Sequence, residues 1–224
     1  MCWLRVVPLD LTTAGFETTL RAATADLDIG LLINNAGVAE LGNFTENSLA
    51  SELRGVDLNV RAPMILSHLY AQDFVRKGRG GIMFMGSMVG LVGVTNYANY
   101  AATKGYDLLL AEGLAKELRP FGVDVIGIAP GFTESEYTAG MDTSKMPVPM
   151  PFMKTPALVK IALGKLGTRT TMVIPGLMNQ MMYWMMKFMG RKGSSAMMSW
   201  MIGFIDHEDK KAAPVNRPVN AAAN

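Results

Sequence analysis

The sequence predicts a doubly wound α/β fold, in which helices cover both faces of a mostly parallel sheet. Short aliphatic or β-branched runs, bounded by turn residues, alternate with longer segments whose apolar residues recur at helical spacing. The run Leu31–Ile33 is apolar at every position, as expected of a strand that is buried on both faces. No linker or repeat interrupts the alternation from Leu4 to Ile174, so we expect these elements to form one domain.

Each predicted strand is an aliphatic run, and each predicted helix is a longer amphipathic segment that follows such a run. The predicted strands are Leu4–Val7, Ile29–Ile33, Gly81–Met85, Val123–Ile128 and Thr171–Ile174. The predicted helices are Phe16–Leu27, Leu49–Leu58, Ala62–Arg76, Tyr97–Leu118 and Ala157–Leu166. Parallel strands need crossover connections of this length, and helices usually supply them.

The composition excludes several classes of protein. The 224 residues carry a formal net charge of only +2 and no run of Lys or Arg, so we expect no nucleic-acid partner. The single cysteine, Cys2, cannot form an internal disulfide, which favours a reducing compartment such as the cytoplasm. No Cys/His/Asp cluster has the spacing of a metal site, and we interpret His68 and His207 as surface or packing residues.

Polar residues follow each of the first four predicted strands. Asp10 comes after the first strand, Asn34-Asn35-Ala36-Gly37 after the second, Ser87 after the third and Pro130-Gly131 after the fourth. In open parallel sheets the ligand binds beyond the carboxyl ends of the strands. The sequence therefore predicts a ligand site at this edge of the sheet.

A tyrosine and a lysine in this region have the spacing of an acid–base pair. Tyr100 and Lys104 are four residues apart in a helical segment, so their side chains share one face. A nearby cation favours the phenolate and lowers the pKa of the tyrosine. Ser87 can hydrogen-bond a substrate carbonyl, and Asn59, in the middle of a predicted helix, can hold a water in a proton relay. The alternatives are a helix cap for Ser87 and a purely structural role for Asn59.

Taken together and in order, these motifs resemble those of the classical short-chain dehydrogenases/reductases. The motifs are Asn34-Asn35-Ala36-Gly37, Asn59, Gly86-Ser87, Tyr100-x-x-x-Lys104 and Pro130-Gly131. The resemblance implies a Rossmann-type sheet and the interconversion of a carbonyl and a secondary alcohol. Tyr100 would be the general acid, and Lys104 would lower its pKa and bind the nicotinamide ribose. Ser87 would position the carbonyl, and Asn59 would support the relay.

The same resemblance implies a site for NAD or NADP, without discriminating between the two. Asp10 and Leu11 would lie near the adenine, and Asn35, Ala36 and Gly37 would pass under the adenine ribose. The backbone around Thr133, after Pro130 and Gly131, would contact the nicotinamide carboxamide. The resemblance also implies a homodimer or tetramer formed through the helices Ala62–Arg76 and Tyr97–Leu118.

The opening of the family pattern has no counterpart before Asp10. Members of the family begin with a strand, a glycine-rich turn and a helix whose N-terminus holds the pyrophosphate. The resemblance places Leu4–Val7 at the family's third strand, so the first βα unit and the second strand are missing. Leu4–Val7 should then lack its neighbour, and Ile29–Ile33 should form an exposed apolar edge. A truncated or mis-started gene product and a degenerate domain both explain this, and an inactive fragment unable to bind dinucleotide is one alternative function.

The carboxyl third is rich in methionine and divides the chain into three predicted parts, 1–175, 176–205 and 206–224. Residues 176–205 carry three basic and no acidic residues, which predicts two short apolar helices joined by a basic hinge. Such helices fit a membrane surface, a dimer interface or a lid on an acyl chain. Residues 130–156 form either an apolar lid or a poorly ordered loop, and 206–224 a disordered tail.

These features leave two further functional hypotheses beside the inactive fragment. The first is an NAD(P)-dependent oxidoreductase that acts on an apolar substrate. The carboxyl part resembles the branch of the family that contains long-chain ketoacyl and hydroxysteroid reductases, which implies a long-chain acyl or steroid-like substrate. The second is a peripheral membrane protein that acts through its carboxyl-terminal helices.

Overall fold

The computed structural model describes residues 4–138, 141–142, 146 and 152–207. The helices are α1 (Phe16–Ala23), α2 (Leu49–Val56), α3 (Ala62–Lys77), α4 (Ala98–Leu118), α5 (Thr155–Leu163) and α6 (Leu177–Ile202). The strands are β1 (Leu31–Asn34), β2 (Gly80–Met85), β3 (Val123–Ile128), β4 (Met141–Asp142), β5 (Met172–Val173) and β6 (Asp206–His207). A five-residue π-helical turn, Asp57–Arg61, joins α2 to α3.

Four of these strands form a parallel sheet in the order β1-β2-β3-β5, which confirms the predicted α/β class. β2 and β3 are paired along six residues and form the centre of the sheet. β4 and β6 form a separate antiparallel pair. The carboxyl ends of β1, β2 and β3 therefore lie side by side, as the sequence predicts.

The central strands send alternate side chains to opposite faces of the sheet. Ile82 and Phe84 of β2 pack in a core with α1, α3 and α4, whereas Met83 packs in a second core with α5. β3 alternates in the same way, with Val125 in the first core and Ile126 in the second. Both faces are covered, which explains why the strands are apolar at every position.

The prediction of a first strand at Leu4–Val7 is wrong. The segment has no strand geometry, and its side chains Leu4 and Val6 are 87% and 73% exposed. A strand needs a neighbour for its backbone hydrogen bonds, and no strand pairs with this segment in the described part of the chain. Instead, Arg5 anchors it through a two-point ion pair with Asp26 at 2.6 and 2.8 Å. β1 is consequently an edge strand, as expected, and pairs only with β2 among the described residues.

The helices agree with the predictions except near their ends. α1 stops at Ala23, four residues earlier than predicted, where Thr24 leaves the helical conformation. α2 ends at Val56, where the π-helical turn begins, and α5 begins two residues earlier than predicted, with Pro156 in its first turn. Proline is favoured there because the first-turn amides of a helix have no partner within it.

The carboxyl-terminal region is a long helix with a kink at Gly190. Gly190 has φ 69° and ψ 172°, so α6 consists of two helical halves, 177–189 and 191–202. The buried Ser194 hydroxyl closes the kink, because its oxygen lies 2.7 Å from the Met186 carbonyl and 2.8 Å from the Gly190 carbonyl and its one hydrogen can be donated to either. The kink lies where the sequence predicts a hinge. None of the described helices is both long and apolar enough to cross a membrane.

Much of the predicted lid and nearly all of the predicted tail lie outside the described residues. The lid residues concerned are 139–140, 143–145 and 147–151, and the tail residues are 208–224. Within the described parts of the lid, Thr133 and Met153 form a parallel bridge, and the Met88 amide donates to the Pro130 carbonyl at 3.0 Å.

Candidate active site

A cavity of about 470 Å³ opens at the carboxyl ends of the parallel strands. Eight of the residues predicted from the sequence line it: Asn35, Gly37, Ser87, Tyr100, Lys104, Pro130, Gly131 and Thr133. The remaining wall is largely apolar and is formed by methionines such as Met88, Met182, Met198 and Met201. The structure therefore brings together the predicted acid–base pair, the serine and one end of the predicted dinucleotide site.

Ser87 caps a helical turn and also bonds to the tyrosine, and its role in positioning a substrate carbonyl stays a prediction. It follows β2 directly, and its hydroxyl accepts from the Val89 amide at 3.4 Å, at the start of a 3₁₀ turn. The same side chain hydrogen-bonds with Tyr100. Tyr97 is buried, lines the cavity and lies edge-on to Tyr100 with ring centroids 6.2 Å apart.

The environment of Tyr100 favours the protonated phenol. Burial raises the pKa of Tyr100 to about 12, the hydrogen bond with Ser87 opposes this rise, and the negative charge of Asp107 adds to it. Asp107 pairs with Lys104 and compensates part of its charge, and the lowering of this pKa by Lys104 stays a prediction. At neutral pH Tyr100 holds a proton that it can donate.

Lys104 is held at the floor of the cavity by two oxygen atoms. Its buried ammonium group donates to the Met85 carbonyl at 2.7 Å and to Asp107 Oδ2 at 3.4 Å. Burial lowers the pKa of Lys104, and Asp107 opposes that decrease. A Cβ atom at Gly37 would lie 3.3 Å from Lys104 Nζ and 3.1 Å from Asn59 Oδ1, so a glycine allows the turn after β1 to approach both groups.

Asn59 lies in the π-helical turn Asp57–Arg61 and is 1% exposed. Its amide nitrogen donates to the Val38 carbonyl (2.7 Å) and to Thr103 Oγ1 (3.0 Å), while its oxygen accepts from the Val38 amide (2.9 Å). These bonds tie the turn after β1 to α4, one residue before Lys104. π-helical turns are rare and often mark functional sites. A role for Asn59 in a proton relay stays a prediction.

Three of the predicted cofactor residues do not line the cavity. Asp10 is exposed, and its carboxylate accepts from the amide and hydroxyl of Thr12, which lower its pKa. Leu11 packs against the core shared by α1 and α3, and Ala36 is exposed beside the cavity wall. Arg61 donates to the Thr12 carbonyl at 2.6 Å and so connects the Asp10 loop with the π-helical turn.

The sequence reasoning missed Asp107, although a signal was present. Asp107 lies three residues after Lys104 and seven after Tyr100, which places all three on one face of α4. An acidic residue on the buried face of a helix needs a partner, so this spacing could have indicated the ion pair with Lys104. The contribution of Thr103 to holding Asn59 carried no comparable signal.

Two glycines bring the turn after Ser87 into close contact with α4. A Cβ at Gly90 would lie 2.6 Å from the backbone carbon of Lys104, and one at Gly105 would lie 2.9 Å from the Gly90 carbonyl oxygen. Any larger residue would push the turn away from the helix. The pair therefore fixes the position of Ser87 relative to Tyr100.

The second half of α6 is bonded to the same segment of chain. The Ser195 hydroxyl donates to the Gly93 carbonyl at 2.6 Å, and the Thr95 amide donates to Ser199 Oγ at 2.9 Å. This half of α6 also supplies Met198 and Met201 to the cavity. The apolar wall and the segment that follows Ser87 are thus directly connected.

The histidines take no part in this site as far as the structure describes them. His68 is exposed on α3, and its Nε2 lies 3.0 Å from Gln72 Nε2. The side chain of His207 is not among the described ones. Within residues 4–138, 141–142, 146 and 152–207, no three His, Cys, Asp or Glu side chains converge as a metal site would require.

Comparison with known proteins identifies relatives with this arrangement of elements. A family model described as short chain dehydrogenase matches residues 4–145. The 7beta-hydroxysteroid dehydrogenase of Clostridium sardiniense is 32% identical over 130 residues, which cover 58% of this chain and 50% of that protein. The 3-oxoacyl-(acyl-carrier-protein) reductase FabG of Vibrio cholerae is 29% identical over 153 residues, covering 67% of this chain and 59% of the relative. The chain thus spans about half the length of the curated relatives it matches.

A solved structure extends the likeness to nearly the whole chain. The short-chain dehydrogenase from Sphingobium yanoikuyae in complex with NADPH superposes with a TM-score of 0.69 at 29% identity. The superposition covers 96% of this chain and 77% of the Sphingobium protein. The similarity therefore includes the methionine-rich carboxyl-terminal region as well as the sheet.

Proposed function

This chain belongs to the short-chain dehydrogenase family, and on that premise we propose that it is an NAD(P)-dependent oxidoreductase that interconverts a carbonyl and a secondary alcohol on an apolar substrate. The observation that carries the proposal is the arrangement of Ser87, Tyr100 and Lys104 at one wall of an apolar cavity. Ser87 and Tyr100 are hydrogen-bonded to each other, so their two hydroxyl groups can meet the same substrate oxygen.

The described residues fit one end of a dinucleotide better than the other. Gly37 and Gly131 line the cavity with backbone alone, and a Cβ at Gly131 would lie 2.4 Å from Asn179 Oδ1, so glycine lets this turn pack closely against Asn179. Lys104 uses two of its three ammonium hydrogens on Met85 and Asp107, which leaves the third for a ribose hydroxyl. The residues proposed for the adenine end, Asp10 and Leu11, lie outside this cavity.

In the reducing direction, the bound nicotinamide supplies the hydride, and the side chains of this chain manage the proton. Ser87 donates a hydrogen bond to the substrate carbonyl and orients it towards Tyr100. Tyr100 donates its phenolic proton as negative charge develops on that oxygen. Lys104 lies one helical turn away and stabilises the resulting phenolate, and the Asn59 bonds keep this wall rigid.

The wall opposite these polar groups indicates the class of substrate. Met88, Met182, Met198 and Met201 offer polarizable, adaptable side chains and no charge. Such a wall suits a bulky hydrocarbon skeleton, either a long acyl chain or a steroid-like ring system. Two relatives are named for an oxoacyl and a hydroxysteroid substrate, which supports this choice.

Titration with NADH and NADPH, followed by nicotinamide fluorescence, tests the proposal most directly. We expect saturable binding of at least one dinucleotide, and oxidation of that dinucleotide when a bulky apolar ketone is added. A small polar ketone such as dihydroxyacetone is the matched control and should react far more slowly. Folded protein that binds neither dinucleotide would contradict the proposal and favour an inactive fragment.

Two further properties belong to the proposal. Exposed apolar side chains on α3 and α4, Met64 and Leu109, support pairing with further copies of the chain, as a homodimer or tetramer.

The outer face of α6 carries Trp184 and Phe188, 57% and 89% exposed, beside Lys187, which contacts the Trp184 ring. Exposed aromatic groups with nearby cations and no carboxylate suit the surface of an anionic bilayer, so we also propose peripheral membrane association.

We expect the chain to sediment with vesicles that contain anionic phospholipid, and much less with neutral vesicles or at high salt. Replacing both Trp184 and Phe188 with serine should abolish this sedimentation, because each substitution removes most of the apolar surface of the side chain. Phe44→Ser, which removes an exposed aromatic side chain from a loop, should leave it unchanged. Equal sedimentation of all three proteins, or of none, would exclude the α6 face as a membrane contact.

A further inference from the structure

Asp107 is a buried carboxylate to which the chemistry above assigns no role. The residue is 2% exposed and lies on the face of α4 that carries Tyr100 and Lys104. Its Oδ2 accepts from Lys104 Nζ, and its Oδ1 is buried without a hydrogen-bond partner among the described residues. A buried carboxylate with a single long bond destabilises a fold more than an apolar residue of similar size would. Stability alone therefore does not explain this residue.

The charged groups on the elements around α4 have partners elsewhere or are exposed, as Arg54 of α2 is. Asp57 and Arg61 of the π-helical turn pair with each other, and Glu52 of α2 accepts from two asparagine amides. Asp124 of β3 accepts from the Gly167 amide. On α3 the remaining charged side chains, Asp73, Arg76 and Lys77, form exposed ion pairs, and His68 is exposed. Asp107 acts electrostatically on three titratable groups of its own helix: Tyr100, Lys104 and Tyr106.

We propose, building on the function proposed above, that Asp107 is a positioning residue that holds the Lys104 ammonium group against the Met85 carbonyl and retains the proton on Tyr100. The ion pair and the Met85 hydrogen bond fix Lys104 from two sides. Because Asp107 shares a face with Tyr100, its negative charge also opposes formation of the phenolate. Asp107 thus keeps Tyr100 in the form that donates a proton to a carbonyl.

The signs of the pKa shifts agree with this arrangement. Asp107 raises the pKa of Tyr100 and opposes the decrease that burial causes in the pKa of Lys104. Burial raises the pKa of Asp107 itself to about 6, and Lys104 opposes that rise. Asp107 is therefore ionised above about pH 6 and loses its effect below it. Removing its charge should lower the pKa of both Tyr100 and Lys104.

The test is ¹⁹F NMR of the full chain labelled with 3-fluorotyrosine, whose phenol is more acidic and so titrates within the range of folded protein. Tyr100→Phe assigns the resonance of interest among the six tyrosines. In the otherwise unmodified chain, the Tyr100 resonance should move between about pH 5 and 7 as Asp107 ionises. In Asp107→Asn this step in the chemical shift of Tyr100 should vanish. The pH midpoint of Tyr100 ionisation should also fall by about one pH unit.

Two variants control for unrelated effects. Glu112→Gln removes a carboxylate from the exposed face of the same helix and should change neither the step nor the midpoint. His68→Gln replaces the exposed histidine of α3 and should leave the step in place. A folded Asp107→Asn protein with an unchanged Tyr100 midpoint would overturn the proposal. Absence of the step in the otherwise unmodified chain would overturn it as well, and that arm needs no substitution of Asp107.

The NMR measurement requires neither dinucleotide nor turnover, so it separates this inference from the proposed function. A step and a shifted midpoint without any reductase activity would uphold the role of Asp107 and remove the enzymatic proposal. Where the chain is active, the alkaline limb of kcat/KM for reduction should move to lower pH in Asp107→Asn by the same amount. A purely structural residue would lower activity equally at every pH.

Discussion

Replacing Tyr100 with phenylalanine is expected to lower carbonyl reduction about a thousandfold while leaving the fold intact. The substitution removes one hydroxyl group, and with it both the proton donor and the hydrogen bond with Ser87. Phenylalanine keeps the ring and its edge-on contact with Tyr97. Single-turnover reduction of a bulky ketone, measured beside the dissociation constant for the dinucleotide, separates loss of chemistry from loss of binding.

Tyr106→Phe is the matched control for that experiment. Tyr106 lies on the same helix but does not line the cavity, so its substitution should change the rate less than about twofold. We expect both variants to bind the dinucleotide, because neither phenolic hydroxyl is the sole group proposed to hold it. A Tyr100→Phe enzyme that retains a tenth or more of its reduction rate would exclude Tyr100 as the general acid.

Replacing Gly90 with alanine is expected to damage both stability and catalysis. The added Cβ would lie 2.6 Å from the Lys104 backbone carbon, and both contacting segments are backbone that cannot rotate away. Overpacking of this kind costs about 1–3 kcal/mol of unfolding free energy. The turn carrying Ser87 must then shift relative to Tyr100, and a displacement near 1 Å lowers the rate about a hundredfold. Urea unfolding and ketone reduction measure the two effects.

Gly93→Ala provides the control from the same segment of chain. A Cβ at Gly93 meets no atom within 4 Å, and the carbonyl that accepts from Ser195 is part of the backbone and remains. We expect this variant to unfold and to turn over like the unmodified chain. Equal behaviour of Gly90→Ala and Gly93→Ala would show that the close contact with α4 does not control the site.

The sequence could predict the elements whose pattern depends on local burial. β2 and β3 are apolar at every position because helices cover both faces, and that pattern is visible without a structure. The grouping of Ser87, Tyr100 and Lys104 was predictable too, since carboxyl ends of parallel strands meet at one edge. Spacing along one helix is enough to place Tyr100 and Lys104 together.

Features that depend on a partner in space were not predictable in the same way. Leu4–Val7 has the composition of a strand, but strand geometry needs an adjacent strand, which composition cannot reveal. The raised pKa of Tyr100 depends on burial and on Asp107, whereas the motif shows only the lysine. The side-chain amide of Asn59 is hydrogen-bonded to the backbone of Val38, which lies 21 residues away in the chain. A sequence pattern can therefore reveal the asparagine but not its partner.

The serine hydrogen bonds between the second half of α6 and the chain after Ser87 have a consequence for altering substrate selectivity. Met198 and Met201 can adapt their shapes, but Ser195 and Ser199 fix how far their helix stands from Gly93 and Thr95. A ligand that outgrows the flexibility of the methionines must break these bonds and move the chain segment that follows Ser87. On the proposed function, the upper size limit of the substrate would therefore be coupled to turnover, and redesign for larger ketones should begin at Ser195 and Ser199.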